Sequence, residues 1–231
     1  MNLLAIETSG PILSVAIKKS GAKFRHVTVK GYMKHAENLL PVIDRLLKKE
    51  KLKILEIDAF LISRGPGSFT GLRIGFATLK GLLAVHPKPC YGSFSLDVIA
   101  AGIKPGKCKN LTVCLDARRG KLYTRSYRYY GKRWTPCGSS RVVSLNEMDQ
   151  GLLEGNWIAG DGIAKLDPRG LAVVCEKNNI PRASTLIELF EAKDPFLKKL
   201  ILPKEFLPVY LRRSEPEERL SERKKHGCPC P

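Results

Sequence analysis

An α/β fold of two related subdomains is the architecture that the sequence predicts, and three observations support it. Strand and helix signals alternate along the first third of the 231 residues, but the series begins with two consecutive strands. A segment at 102–109 containing Gly and Pro indicates a hinge near the middle of the chain. The second half then repeats the order of the first in a weaker form.

The first half opens on a predicted β-hairpin, because apolar runs flank the turn Glu7-Thr8-Ser9-Gly10. From 35 to 50 the apolar residues fall at helical spacing, and Pro41 should shorten or bend that helix. We expect strands at 3–6, 12–17, 24–29, 57–62 and 88–93, and helices at 35–50, 68–85 and 95–101. This order matches half of an actin-like (ASKHA) ATPase domain. It excludes a plain doubly wound sheet, which would alternate from its first strand.

The second half is predicted to be the other actin-like subdomain. We expect strands at 111–115, 121–130, 139–143, 157–159 and 171–174, and helices at 145–153 and 185–193. The predicted subdomains are therefore residues 1–103 and 104–212. Residues 213–231 are polar, and we expect them to form a disordered tail.

Composition points to a cytoplasmic protein. The hydrophobic fraction of 43% is ordinary for a globular protein, no apolar run approaches ~20 residues, and residues 1–7 lack a basic leader. The seven cysteines are odd in number and scattered, which argues against a disulfide framework. The Cys228-Pro-Cys230 pair lacks the further ligands that a zinc site needs, so we expect no metal in this chain.

Positive charge is concentrated in one segment. The net charge is +18, and residues 104–133 hold ten basic residues against one acid. Within it, a predicted strand places Lys121, Tyr123, Arg125 and Tyr127 on one face. Cations alternating with aromatic rings suit contact with the phosphates and unpaired bases of a nucleic acid, whereas the alternative is an edge strand protected by charge.

Three turns resemble nucleotide-binding turns without completing one. The first, at 7–10, offers Glu7, Thr8 and Ser9, and the second, at 116–120, keeps Asp116 but carries two arginines where glycines are usual. Gly160 opens the third, Gly-Asp-Gly, where an adenosine loop is expected. These residues predict a degenerate nucleotide site, and the alternative for the first turn is an ordinary hydroxyl-rich turn.

Residues 64–75 carry the sharpest signal. Ser68 after a Gly-Pro-Gly turn is a good N-cap for the following helix, but no Gly-Lys-Ser/Thr makes this a P-loop. Glycine inside a helix costs about 1 kcal/mol relative to alanine, so several need a compensating gain. Gly71, Gly75 and Thr78 share one face, which we interpret as a packing surface, either internal or against a partner.

The segment Gly-Pro-Gly-Ser-Phe-Thr-Gly-Leu-Arg-Ile-Gly at 65–75 resembles the signature of the TsaB (YeaZ) family. Further segments match in order at 4–9, 35–41, 115–120 and 208–212, so the resemblance covers nearly all of residues 1–212. Glu7 departs from the aspartate usual in the family, and the basic charge and the tail are departures too.

The resemblance implies an actin-like fold and a subunit without demonstrated catalysis. It also implies pairing with a catalytic TsaD-type subunit, which transfers threonylcarbamoyl to the adenosine beside the anticodon of tRNA, and a TsaE-type ATPase as third partner. ATP and metal are then expected in those partner subunits and no cofactor in this one. Pairing in the family uses the two helices predicted at 35–50 and 68–85. The predicted partner interface is His35, Leu39, Ile43, Leu46, Gly71, Gly75 and Thr78, with a homodimer as the alternative for the isolated chain.

Two other functions stay open at this point. The first is an actin-like enzyme that binds and hydrolyses ATP itself, and the second is a basic RNA-binding module without a partner. A metallopeptidase is excluded, because the four histidines (26, 35, 86 and 226) include no pair within four residues. His35 alone suits the start of a helix or an interface.

Overall fold

Two β-sheets organise the part of the chain that the computed structural model describes, namely residues 1–30, 35–106, 108–147, 157–166, 172–173, 179–201 and 203–212. The strands are β1 Leu3–Glu7, β2 Ile12–Lys18, β3 Arg25–Lys30, β4 Ala59–Ser63, β5 Cys90–Ser93, β6 Asn110–Asp116, β7 Lys121–Tyr130, β8 Arg133–Pro136, β9 Arg141–Ser144, β10 Trp157–Ala159, β11 Ala172–Val173 and β12 Lys198–Leu200. The first sheet has the order β12-β5-β4-β1-β2-β3, and the second has β11-β10-β6-β7-β8 with β9 also paired to β7. The helices are α1 His35–Glu50, α2 Phe69–Val85, α3 Ser95–Ala101 and α4 Ala183–Glu191.

The central strands of the first sheet are buried on both faces. Its central strand β1 pairs antiparallel with β2 and parallel with β4, and all five of its residues are buried. One face packs on α1 and α2 through a core that includes Leu4, Ile6 and Phe76. The other face packs on α4 and on Val98 of α3. A strand enclosed in this way needs a continuous apolar sequence, which is what residues 3–6 supply.

The second sheet repeats this plan. Strands β6 and β7 form an antiparallel hairpin, and β10 joins β6 in parallel on its other side, as β4 joins β1. Helix α3 packs on this sheet through Leu96 and Ile99. Hairpin, third strand and parallel strand therefore occur twice, which confirms the predicted fold of two related subdomains.

The boundary between the subdomains is less simple than a cut at residue 103. Helix α4 covers β1, β2 and β4 of the first sheet, and β12 pairs with β5 at its edge. Helix α3, which precedes the predicted hinge, packs on the second sheet. Each sheet thus takes a helix from the other half of the chain, and the two helices lie between the sheets.

Several element predictions differ from the structure. Strands β8 and β12 were not predicted, and both are only three or four residues long, with lysine or arginine near their ends. The helix predicted at 145–153 begins as a short 3-10 turn at Leu145–Glu147, and its remainder lies outside the described residues. The predicted tail at 213–231 also lies outside them. Pro41 lies inside an unbroken α1, near its N-terminal end.

None of the helices in the described ranges is both long and apolar enough to cross a bilayer.

Candidate functional site

A cleft between the two sheets brings the first two predicted turns together. Its cavity measures about 170 Å³ and is lined by Ser9 and Gly10 of the first turn and by residues 115–119 of the second. Asp161 and Arg212 complete the wall. Of the five residues predicted for a nucleotide site, Ser9 and Asp116 line this cavity, whereas Glu7, Thr8 and Gly160 lie behind it.

The Glu7 carboxylate occupies the inside of the first turn. The Glu7 carboxylate is fully buried, and its Oε1 accepts hydrogen bonds from the backbone N and the Oγ of Ser9, both at 2.6 Å. Burial raises the pKa of Glu7, and the two bonds from Ser9 oppose that shift. Among the described residues, neither Glu7 Oε2 nor Thr8 Oγ1 has a hydrogen-bond partner. The amide that could hold a phosphate at Ser9 is therefore already occupied by a carboxylate.

The glycines of the 65–75 segment explain why α2 can pack closely against the first turn. A Cβ at Gly67 would stand 2.2 Å from Ser9 O, one at Gly71 would stand 2.1 Å from Thr8 O, and one at Gly75 would stand 2.3 Å from Thr8 Oγ1. The N-terminal end of the helix closes on the turn, where Ser68 N donates to Ser9 O over 2.8 Å. Ser68 is also the N-cap, accepting from Gly71 N over 3.2 Å, as predicted.

The predicted partner interface is consequently wrong for most of its residues. Gly71 and Gly75 are buried against the first turn, and the α1 residues Leu39, Ile43 and Leu46 are buried in the core of the first subdomain. His35 is 6% exposed, with Nε2 3.2 Å from Gly10 O, so it anchors the start of α1 to the first turn. Burial lowers the pKa of His35 and the bond to Gly10 opposes this. Thr78 is half-buried. Helical spacing identified the stripes correctly, but they face inward.

The second turn is built around Asp116. Its Oδ1 accepts from Arg118 N over 2.8 Å, and its own N donates to Asp161 Oδ1 over 2.9 Å. Arg118 and Arg119 both have left-handed backbones, with φ of 65° and 50°. Burial raises the pKa of Asp161, while its bond from the Asp116 amide acts in the other direction. Gly160 permits a close approach, because a Cβ there would stand 1.9 Å from Cys114 O.

Residues 208–212, which we call the strap, join the two halves across the cleft. Val209 N donates to Arg64 O over 2.7 Å, and the Tyr210 ring stacks on Phe69 at 4.5 Å between centroids. At its end, Arg212 Nη1 donates to the carbonyls of Ala117 and Arg118 in the second turn. The motif near the end of the chain therefore fastens α2 to the second turn, a role that its sequence alone did not reveal.

The predicted tRNA-contacting face of β7 is a core face. Tyr123 and Tyr127 are 3% and 1% exposed, and Lys121 is half-buried. Arg125 Nη1 pairs with Asp97 Oδ1 of α3 at 2.8 Å, and Tyr127 Oη donates to the same oxygen over 2.7 Å. Burial raises the pKa of Asp97, and its bonds from Tyr127 and Arg125 oppose this. The edge-strand alternative is wrong as well, since β7 is paired on both sides.

Nowhere in the described ranges do three or more His, Cys, Asp or Glu side chains gather as metal ligands would.

Comparison with known proteins adds a consistent set of relatives. Residues 31–187 match the family model described as TsaD: tRNA N6-adenosine threonylcarbamoyltransferase. The Haemophilus influenzae tRNA threonylcarbamoyladenosine biosynthesis protein TsaB is 28% identical over 229 residues, which is 92% of this chain and 94% of that protein. The Escherichia coli TsaB protein is 31% identical over 165 residues, or 68% of this chain and 70% of that protein.

Two solved structures from Pseudomonas aeruginosa share the fold. One, an uncharacterized protein with similarity to peptidase YEAZ, has a TM-score of 0.74 and 25% identity, covering 91% of this chain and 99% of its own. The other, YeaZ, has a TM-score of 0.73 and 24% identity with the same coverage. The turn at 7–10, the glycine-lined α2 and the strap occur together in this chain, and several curated relatives carry the name TsaB. The chain belongs to the TsaB (YeaZ) family of tRNA threonylcarbamoyladenosine biosynthesis proteins.

Proposed function

We propose that this chain is the non-catalytic partner subunit in tRNA threonylcarbamoyladenosine biosynthesis, and that it acts by pairing with a TsaD-type catalytic subunit. A TsaE-type ATPase is the expected third partner, and ATP and metal are expected in those subunits. One observation supports the non-catalytic role: three backbone amides beside the cleft, those of Ser9, Ser68 and Arg118, already donate hydrogen bonds within the protein. Phosphate binding at turns and helix ends depends on free backbone amides.

A nucleoside triphosphate does not fit the residues present. Ser9 N is held by Glu7 and Arg118 N by Asp116. The start of α2 faces the Ser9 carbonyl, so the Ser68 amide is used too. The cavity of about 170 Å³ is smaller than the ~300–1,000 Å³ typical of sites for drug-sized ligands.

The second candidate function, ATP hydrolysis by this chain, has one observation in its favour. Asp116 and Asp161 both line the cleft, and two carboxylates can hold a metal ion. Calorimetric titration of the isolated chain with ATP, with and without magnesium, separates the two. We expect no saturable binding and no hydrolysis above background. Turnover that Asp161→Asn abolishes would establish the enzyme and refute the non-catalytic role.

The partner surface is better placed on the outward faces of α1 and α2. Gly71 and Gly75 have an internal reason to be glycine, but Gly81 has none: it is exposed, and a Cβ there would meet nothing within 4 Å. A glycine in an exposed helix interior costs about 1 kcal/mol relative to alanine. Near it lies Val85, which is 77% exposed, and α1 presents Leu40 at 56%. Close packing of a partner subunit's backbone against Gly81 would explain why a glycine and apolar side chains are exposed on these helices.

Substitution at Gly81 tests the pairing directly. Gly81→Leu should fold with a melting temperature no lower than that of the wild type, yet fail to co-purify with the TsaD-type subunit and fail to restore the modified nucleoside in depleted cells. Ser139→Leu is the matched control, since it adds a leucine at an exposed, uncharged site in the second half of the chain. Normal pairing by a folded Gly81→Leu protein would show that this face is not the interface.

We propose that residues outside the buried face of β7 contact tRNA. Arg128 and Lys132 are exposed at the end of the β7–β8 hairpin, beside Tyr130, which is 79% exposed. Replacing Arg128 and Lys132 with Glu should weaken tRNA binding by the assembled complex and flatten its salt dependence, because fewer counterions are released. An unchanged salt slope would show that this hairpin stays away from the tRNA.

A further inference from the structure

A second cavity lies between the two sheets, away from the turns of the cleft. It measures about 230 Å³ and opens where the end of β4 and strand β5 face the β7–β8 hairpin. None of the residues lining it lines the first cavity, and neither the predicted nucleotide site nor the proposed partner surface uses it.

Gly92 leaves space for the Arg64 side chain in the wall of this cavity. A Cβ at Gly92 would stand 2.6 Å from Arg64 Cδ and 2.8 Å from Cγ, so only glycine leaves room for the arginine stem across β5. The backbone fixes Arg64 as well, because its N donates to Ser93 O over 2.8 Å. Arg64 Nε is buried and has no hydrogen-bond partner among the described residues. Burial lowers the pKa of Arg64, which Glu205 partly counteracts.

Ser93 adds a second unsatisfied group to the same wall. Its side chain is 2% exposed, and its Oγ has no partner within the described part of the chain. Arg64 and Ser93 both line the cavity, and their unpartnered atoms are shielded from it, so each side chain would have to rotate toward the cavity to meet a ligand. A ligand that accepts from an arginine and bonds to a hydroxyl would then satisfy both groups, which buried polar atoms nearly always require.

The cavity carries an excess of positive charge, although Glu205 interacts electrostatically with Arg64. Asp97 lines it, but its carboxylate is engaged by Arg125 and Tyr127. The exposed side chains of Arg133 and Lys198 stand at the rim. No carboxylate in the described ranges forms an ion pair with either of them. An incoming anion would therefore meet three cations whose charge the protein does not neutralise by direct pairing.

The remaining walls limit the size and character of such an anion. Phe94, Trp134 and Phe196 line the cavity, and the Trp134 indole N–H is already donated to Ile103 O. These rings offer apolar surface rather than hydrogen bonds. An apolar cavity of about 150 Å³ holds benzene, so about 230 Å³ has room for one ring or branched chain and a single charged group.

We propose that this cavity binds a small organic anion, a carboxylate or monophosphate on a compact apolar body, with the anion between Arg64, Ser93 and Arg133 and the body against the three aromatic rings. This site is separate from the proposed pairing with a TsaD-type subunit, and its test does not depend on that pairing.

Phenyl phosphate is the probe, with inorganic phosphate and phenol supplying its two halves separately. Calorimetric titration of the full chain should give saturable binding of phenyl phosphate, weaker binding of inorganic phosphate and none of phenol. Benzoate in place of phenyl phosphate then distinguishes a carboxylate site from a phosphate site. Absence of saturation for both phenyl phosphate and benzoate up to about 10 mM would overturn the proposal.

Three variants locate the binding. Arg64→Gln should weaken phenyl phosphate binding by about tenfold or more, and the exposed Arg133→Gln by a smaller factor without risk to folding. Arg45→Gln removes the same charge from an exposed site on α1 and should change nothing. Equal losses in Arg133→Gln and Arg45→Gln would reduce the effect to net charge and refute the site.

Ser93→Ala gives the sharpest outcome. Because its hydroxyl is buried and unpartnered without a ligand, the variant should melt at or above the wild-type temperature and yet bind the probe less tightly. Lower stability with unchanged binding would show that Ser93 serves the fold and not a ligand.

Discussion

Gly71→Ala should destabilise the protein, although glycine to alanine in a helix is usually stabilising. The added methyl would stand 2.1 Å from the backbone oxygen of Thr8, more than an ångström inside ordinary contact. Overpacking of this kind costs about 1–3 kcal/mol, and the gain in helix propensity returns at most ~1 kcal/mol. With the full propensity gain subtracted, the net cost is up to about 2 kcal/mol. For a domain of this size each kcal/mol shifts the melting temperature by about 2–4 °C, so we expect a fall of up to roughly 8 °C.

Gly81→Ala is the matched control on the same helix. Nothing lies within 4 Å of its added Cβ, so only the propensity gain remains, and the melting temperature should rise by about 2–4 °C. Calorimetric melts of the wild type and both variants measure the two shifts. If Gly71→Ala is stabilised as much as Gly81→Ala, α2 does not rest on the first turn, and the account of this motif is wrong.

Three further predictions concern charged side chains. Burial raises the pKa of Glu7 in the folded state, so the stability that Glu7 contributes is present below its unfolded-state pKa near 4.5 and is lost as pH rises through the folded-state pKa. In urea titrations between about pH 4 and pH 8, the wild type should therefore lose stability relative to Glu7→Gln. Parallel stability curves for the two proteins would contradict this. Arg125→Ala leaves Asp97 buried and unpaired and should cost about 3–5 kcal/mol in chemical denaturation, whereas the exposed Arg128→Ala should stay within ~0.5 kcal/mol; similar losses would mean that the ion pair is not buried. Arg212→Ala removes a charged donor from two carbonyls and should cost about 1.5–3 kcal/mol, partly recovered in Arg212→Lys, and an unchanged denaturation midpoint would show the strap to be loose.

The spacing of apolar residues predicted the fold well, because it shows which face of a strand or helix is buried. Residues 3–6 and 12–17 had to form buried strands, and the capping serine at 68 had to start a helix; both expectations are confirmed. The short strand β12 escaped prediction because Lys198 and Lys199 look like surface loop, and only its pairing with β5 makes it a strand.

Site residues were harder to predict because a pattern shows which residues share a face but not what that face meets. The alternation of Tyr123, Arg125 and Tyr127 is the same for a nucleic-acid surface and for a core face with a buried ion pair. Asp97, which decides between the two, lies 28 residues earlier in sequence than Arg125, and no local signal links them. The glycines of α2 posed the same ambiguity, which only the position of Thr8 resolved.

The exchange of helices between the sheets also bears on how the chain folds. Residues 1–103 contain five of the strands of the first sheet but not α4, which covers one face of β1 and β2. A nascent or truncated chain ending near residue 103 would leave that apolar face open to water. Helix α4 must cover this face, and Arg212 must bond to Ala117, which lies 95 residues earlier in the sequence. Both are contacts of high sequence separation, and they form slowly because loop-closure entropy opposes them. The two subdomains should therefore fold as one cooperative unit, and the first would be exposed to aggregation and proteolysis until the chain has been synthesised beyond α4.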